Sequence, residues 1–155
     1  MTWVKICGIS DVTTAVAACE SGTDYLGMVF APGRRRVTPA QARKIVDAVL
    51  QQDSRPQIVG VFVNQPADEV NRIADYCELD WVQLSGDETW DYCRQITTPL
   101  IKVFHIAPRC QAGRGFHRRL ERLQFCPAQT AYLFVGLRGR RNLRRHRHAF
   151  SLANR

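Results

Sequence analysis

Five short apolar runs recur along the first 106 residues, with segments of helical period between them. That alternation constrains the fold of this chain more than any other feature. The runs are WVKI (3–6), YLGMVF (25–30), IVGVFV (58–63), WVQL (81–84) and LIKVFHI (100–106). They are rich in β-branched and aromatic residues and almost continuous in apolar character, as strands buried on both faces of a parallel sheet are. One strand begins about every 24 residues, too far apart for hairpins and suited to a helical crossover.

The intervening segments carry helix signals. Ser10 and Asp11 precede Val12, Ala15, Val16 and Cys19, and Gly22 closes that segment. Thr38 stands as an N-cap before Pro39 at the first helical position, followed by Ala42, Ile45, Val46 and Val49. A third helix is expected from near Asn64 and Pro66, with Val70, Ile73, Ala74 and Cys77 on one stripe, and a fourth over about Glu88 to Ile96. The order β-α-β-α-β-α-β-α-β implies right-handed crossovers. It fits either an open doubly wound sheet or a (β/α)8 barrel, and both keep functional groups at the carboxyl ends of their strands.

Charge divides the chain. Residues 1–106 hold 10 Lys and Arg against 13 Asp and Glu; residues 107–155 hold 12 against 1, so the whole excess behind the net charge of +8 lies in the last third. All twelve bases there are arginine, and the only acid is Glu121. Within that region AYLFVGL (131–137) reads as one further strand and Gly115 to Gln124 as a short helix. RGRRNLRRHRH (138–148) has no apolar face and reads as a solvated tail. The expected division is therefore 1–106, a regular α/β unit, and 107–155, a divergent basic tail. A shift of reading frame near codon 107 would produce such arginine-heavy, lysine-free text.

Six cysteines are spread along a chain whose first residues carry no secretory pattern, so reduced thiols and a cytoplasmic setting are expected. No CxxC pair and no ligand-like spacing to the four histidines suggests a zinc site, and no run is long enough to span a membrane.

In a parallel α/β fold, Cys7, the loop APGRRRVTP, Asn64, and Gln83, Ser85 and Gly86 meet at one rim. Cysteine is among the most often buried residues, so Cys7 taken alone reads as a core filler. At a strand end before Gly8 it can instead act as nucleophile or general base, given a cation or a helix N-terminus to favour the thiolate. Arg34, Arg35 and Arg36 read as solvated charge or as a fork for the carboxylate of a small acidic substrate.

Taken together, K-I-C-G-I-S at the start, G-R-R-R-V after the second strand, G-V-F-V-N and Q-L-S-G-D-E occur in one order and at fitting spacings. They resemble the opening K-I-C-G-I-T, the S-P-R-x-V loop, the G-V-F-V-N strand and the Q-L-H-G-D-E strand of the phosphoribosylanthranilate isomerases of tryptophan biosynthesis. The resemblance covers about two thirds of the chain and implies a (β/α)8 TIM barrel, represented by about five βα units and an irregular arginine-rich tail.

It also implies an Amadori rearrangement of N-(5-phosphoribosyl)anthranilate to 1-(2-carboxyphenylamino)-1-deoxyribulose 5-phosphate, with no metal or organic cofactor. Cys7 matches the family's general base, which removes the C2 proton of a Schiff-base intermediate. Arg35, aligned through Val37, matches the arginine on the anthranilate ring and carboxylate, and Gln83 and Ser85 fall in the fourth motif as substrate contacts. Ser85 replaces the usual histidine, and Gly33 and Arg34 replace the serine and proline of the second loop.

The family's general acid, an aspartate ending the sixth strand, has no counterpart in AYLFVGL; His105 is the first substitute. The glycine-containing segments that hold the phosphate are likewise not found. The implied partner is the phosphorylated sugar-anthranilate substrate, with no membrane and, for want of lysines and aromatics in RGRRNLRRHRH, no nucleic acid. Open sheet edges allow self-association, including a dimer that rebuilds an eight-stranded closure. The competing reading is a half-barrel whose basic tail binds nucleic acid or another polyanion.

Overall fold

The computed structural model describes residues 3–106, 132–137 and 149–150. A single seven-stranded sheet organises them, in the order β1 (Lys5–Cys7), β2 (Tyr25–Val29), β3 (Gln57–Phe62), β4 (Trp81–Leu84), β5 (Leu100–Ile106), β6 (Tyr132–Leu137) and β7 (Ala149–Phe150). Neighbours are parallel from β1 to β6, and β7 runs antiparallel beside β6. Spatial order equals chain order. A doubly wound sheet reverses direction at a switch point and this one does not, so the strands progress as in a (β/α) barrel.

Among the described residues, four helices fill the crossovers between β1 and β5: α1 (Val12–Glu20), α2 (Pro39–Val49), α3 (Ala67–Tyr76) and α4 (Trp90–Cys93). Their ends follow from local chemistry. Asp11 caps α1 by accepting the Thr14 amide, and Gly22 leaves the helix at φ 73°, a left-handed conformation that suits a residue without Cβ. Thr38 and Gln41 form a reciprocal capping box around Pro39. Helix α4 is shorter than the expected Glu88–Ile96. Thr89 caps it, but Glu88 is drawn away into the rim network described below, and the chain turns out of helix at Arg94.

Apolar burial lies mainly between the helices and the outer face of the sheet. Leu26, Met28, Ile58, Phe62, Val82 and Leu84 pack against Ala15, Ala18 and Cys19 of α1, Ala42, Ile45 and Val46 of α2, and Val70, Ile73 and Ala74 of α3. Residues one step out of phase, such as Val59, Val61 and Ile101, are buried on the opposite, inner face, outside that cluster. The near-continuous apolar runs of β2, β3 and β4 are explained by this two-sided burial, which β1 does not share. Among the described residues β1 pairs with β2 alone, and Trp3, Val4 and Ile6 are exposed there.

Two strands come from beyond residue 106. β6 occupies the run 131–137 expected as a strand, in register with β5 from Ile101↔Tyr132 to Ile106↔Leu137. β7 was marked by no pattern in the sequence; its two residues are too short for one. The expected helix over 115–124 and the arginine run 138–148 lie outside the described residues. Among the described residues no helix is long and apolar enough to cross a membrane.

Candidate active site

The inner face and the carboxyl ends of the strands gather the polar groups. Cys7, the last residue of β1, stands opposite Gly27 of β2. Its side chain is exposed and lies over that glycine, where a Cβ would come within 2.8 Å of Sγ. The Gly27 carbonyl accepts from both Gly8 N (2.8 Å) and Ile9 N (3.0 Å), which fixes the chain as it leaves β1. Gly8 sits at φ 91°, and the Arg35 side chain occupies the place a Cβ there would need. Glycine is required at this position twice over, for its conformation and for the arginine above it.

Arg35 reaches that place because its loop is pinned at both ends. Val37 N donates to Val29 O at 2.9 Å, Arg36 N donates to Gly33 O at 3.1 Å, and Val37 is buried. The Arg35 guanidinium donates from Nη1 to the Cys7 carbonyl at 3.1 Å. Of the three loop arginines, Arg35 is thus the one with a contact to the cysteine strand.

On β4, Gln83 accepts at Oε1 from Lys5 Nζ (2.6 Å) and donates from Nε2 to Ser85 Oγ (3.0 Å). Ser85 is itself anchored by its amide to Phe62 O at 3.0 Å. Lys5 and Cys7 are two residues apart on β1 and face the same side, so this chain of contacts runs from beneath the thiol across the inner face. On a flat sheet β1 and β4 are three strand spacings apart, about 14 Å. Their direct side-chain contact shows that the sheet is curled with these residues on the concave side.

A second polar cluster closes the rim at β3, β4 and β5. Lys102 of β5 forms a short ion pair with Glu88, the two side chains being 5% and 1% exposed, and also donates to Gly86 O at 2.8 Å. Glu88 further accepts from Asn64 N (2.8 Å) and Gly86 N (3.0 Å). Asn64 sits at φ 52°, a conformation asparagine tolerates, and its Oδ1 accepts from Asp87 N at 2.9 Å. Nearby, Tyr92 donates to Gln65 O at 2.6 Å, and burial pushes its phenol up to about 12.

The other described cysteines serve packing. Cys19, Cys77 and Cys93 are buried thiols in no disulfide, and burial raises Cys77 to about 11. Reading the sequence placed Cys7, Arg35, Gln83 and Ser85 at one rim, where they stand, but passed over Lys5, Gly27, Glu88 and Lys102. A signal was present: lysines within VKIC and LIKVF are charges in otherwise apolar strands, where only a buried partner makes them tolerable. His105 lies in β5 in register with Gly136.

Parallel strands in chain order with helices outside define a partial (β/α) barrel protein, and a thiol, a guanidinium and amide and hydroxyl groups at the strand ends make the carboxyl-end rim its candidate site. Residues 4–124 match the model of the N-(5'-phosphoribosyl)anthranilate (PRA) isomerase family. The chain belongs to that family.

A relative of that name from Dehalococcoides mccartyi is 50% identical over 107 residues, 69% of this chain and 49% of the relative. One from Desulforudis audaxviator is 42% identical over 129 residues, 82% of this chain and 58% of the relative. The crystal structure of phosphoribosyl anthranilate isomerase from Thermotoga maritima superposes with a TM-score of 0.74 at 30% identity, covering 92% of this chain and 64% of that one. A second structure, a complex with reduced 1-(o-carboxyphenylamino)-1-deoxyribulose 5-phosphate, gives 0.68 at 32% identity, over 88% of this chain and 66% of that one. The chain spans about half the length of the first of these curated relatives.

Proposed function

We propose that this chain acts as a phosphoribosylanthranilate isomerase, rearranging the aminoaldose N-(5-phosphoribosyl)anthranilate to its 1-deoxyketose. The observation that carries the reading is the exposed Cys7 thiol, set on the inner face at a strand end with the Arg35 guanidinium bonded to its own carbonyl.

The reaction needs a base of modest strength, because a C2 proton beside an iminium is acidified by the positive nitrogen. A thiolate meets that need without a metal. In this assignment Cys7 Sγ takes the C2 proton, and the electron pair moves into the C1–C2 bond as the iminium nitrogen is neutralised. Arg35, whose fork presents several donors beside Cys7, faces the anthranilate carboxylate. Gln83 and Ser85 supply neutral hydrogen bonds to the sugar. His105, at the β5 end, is assigned to protonate the ring oxygen as the ribose opens.

A base thiol must stay reduced, so we place the chain in the cytoplasm. The apolar edge at Trp3, Val4 and Ile6 is proposed to pair with a second copy; light scattering that finds a monomer at every concentration removes this part of the reading.

The test is turnover of N-(5-phosphoribosyl)anthranilate followed by the ketose carbonyl signal in 13C NMR. Turnover by the wild type, lost in Cys7→Ala with an unchanged circular dichroism spectrum, supports the assignment. Equal turnover in that variant removes Cys7 from the reaction.

A further inference from the structure

We infer that Arg36 is a second anion-binding arginine of the rim, set on the concave face in line with Cys7, and that it takes the phosphate of the ligand whose carboxylate falls to Arg35. The identity of that ligand rests on the proposed function; the anion position beside the thiol does not.

Register fixes the side of the sheet on which Arg36 stands. Cys7 is paired with Gly27 of β2, and its Sγ lies over that glycine on the inner face. Two residues further along β2, Val29 forms a single-residue parallel bridge with Arg36, closed by the 2.9 Å bond from Val37 N to Val29 O. The other side of Val29 is occupied by Val61 of β3. Arg36 therefore continues the line of β1 after β1 has ended, roughly 7 Å beyond Cys7. Bridged residues of neighbouring strands carry their side chains on one side of the sheet, as do residues two apart in a strand, so Arg36 shares the inner face with Val29, Gly27 and Cys7. The next residue agrees: Val37 is buried in the outer core with Leu26 and Met28, and consecutive residues of extended chain point to opposite sides.

Its charge has no partner there. Lys5 is bonded to Gln83 and Arg35 to the Cys7 carbonyl, whereas the Arg36 guanidinium has neither an ion pair nor a hydrogen bond with any described residue. Of the rim carboxylates, Asp11 caps α1 and Glu88 is held by Lys102. Residues 107–155 add a single acid, Glu121, to twelve arginines. Adjacent guanidinium groups with no carboxylate between them create a local positive potential, which an anionic ligand relieves. The ligand of the proposed reaction has two anionic groups, a carboxylate on the aromatic ring and a phosphate at the far end of the sugar, and the carbon that Cys7 deprotonates lies between them. One arginine cannot serve both ends, and a guanidinium fork matches either group.

The anion position is tested first without the ligand. In a Cys110→Ala, Cys126→Ala background at low ionic strength, Cys7 is alkylated with iodoacetate, an anion, and with iodoacetamide, its neutral counterpart, and both rates are followed by mass spectrometry. Arg36→Met is expected to lower the iodoacetate rate at least about threefold relative to the iodoacetamide rate. Lys44→Met, which removes the same charge from an exposed position of α2, should leave that ratio within about 1.5-fold of the wild type. An unchanged ratio in Arg36→Met, or an equal change in Lys44→Met, overturns the inference whether or not the chain is an isomerase. Calorimetric titration gives the second readout, with reduced 1-(o-carboxyphenylamino)-1-deoxyribulose 5-phosphate and with the same compound lacking its phosphate. Arg36→Met is expected to weaken binding of the first at least about tenfold and of the second by less than about twofold, while Arg35→Met weakens both. An equal loss for the two compounds in Arg36→Met, or no loss for the phosphorylated one, removes the phosphate from Arg36. If the wild type binds neither compound, the isomerase reading falls and the alkylation ratio alone decides whether Arg36 holds an anion.

Discussion

Lys102→Met should destabilise the chain far more than its size suggests, and Glu88→Gln added to it should restore most of the loss. The lysine and the glutamate side chains are almost completely buried, and the carboxylate is held by three donors: the Lys102 ammonium and the main-chain amides of Asn64 and Gly86. Methionine keeps the apolar stem of lysine but removes its charge. What remains is a buried carboxylate with only neutral main-chain donors, a situation that costs about 3–5 kcal/mol. In the double variant no charge is buried. The carboxamide oxygen introduced by Glu88→Gln can still accept from the two amides, and its NH2 can serve Gly86 O in place of the ammonium, so a net loss of about 1–2 kcal/mol is expected.

Urea unfolding followed by circular dichroism measures both. With a slope of roughly 1–3 kcal/mol per molar urea, the single variant should lower the midpoint by at least about 1 M, or be unfolded without denaturant. The double variant should fold and lie close to the wild type. A Lys102→Met loss below about 1 kcal/mol, or a double variant no better than the single, would refute the view that this pair is a buried, mutually dependent clamp on the ends of β3, β4 and β5.

Three further outcomes follow from the geometry. Gly27→Ala should leave the fold intact but push the Cys7 thiol aside, since its Cβ would lie 2.8 Å from Sγ; turnover should fall about 100-fold, and a normal rate would show that the thiol's position does not matter. In a Cys110→Ala, Cys126→Ala background, iodoacetamide should label one cysteine rapidly, identified by mass spectrometry as Cys7, while the buried Cys19, Cys77 and Cys93 react only on unfolding. Asp11 has its pKa lowered by its bonds to Thr14, so its stabilising effect is present above the unfolded carboxylate value and disappears as pH falls through the folded one. Asp11→Ala should therefore be less stable than the wild type at pH 7, and thermal melts of the two should converge in acid; a constant gap would exclude the cap as the cause.

Much of this was legible in the residues themselves. The runs at 25–30, 58–62 and 81–84 are continuous because layers on both faces cover most of their residues, and that continuity marks a parallel strand without knowledge of its neighbours. Thr38-Pro39 and Gly22 ended their helices where they were expected, because capping uses bonds within a few residues. The span of α4 was misjudged because Glu88, a good helix former, is committed to Lys102 of the next strand, and no local pattern reveals that competition. For the same reason β7 could not be foreseen: two residues have no periodicity, and only β6 gives them a partner.

Sequence alone determined the alternation of strands and helices, the caps, and the thiol, arginine and amide at the strand ends, since all of these depend on short-range order and strand polarity. Tertiary structure decided the rest. Chain-order pairing of the strands chose the barrel over the doubly wound sheet, and the curl of that sheet brought Lys5 to Gln83 across 78 residues of sequence. It also turned Arg35, rather than Arg34 or Arg36, onto the Cys7 carbonyl. These are contacts between residues far apart in the chain, and their energies depend on distance and burial, quantities that exist only once the sheet has curled.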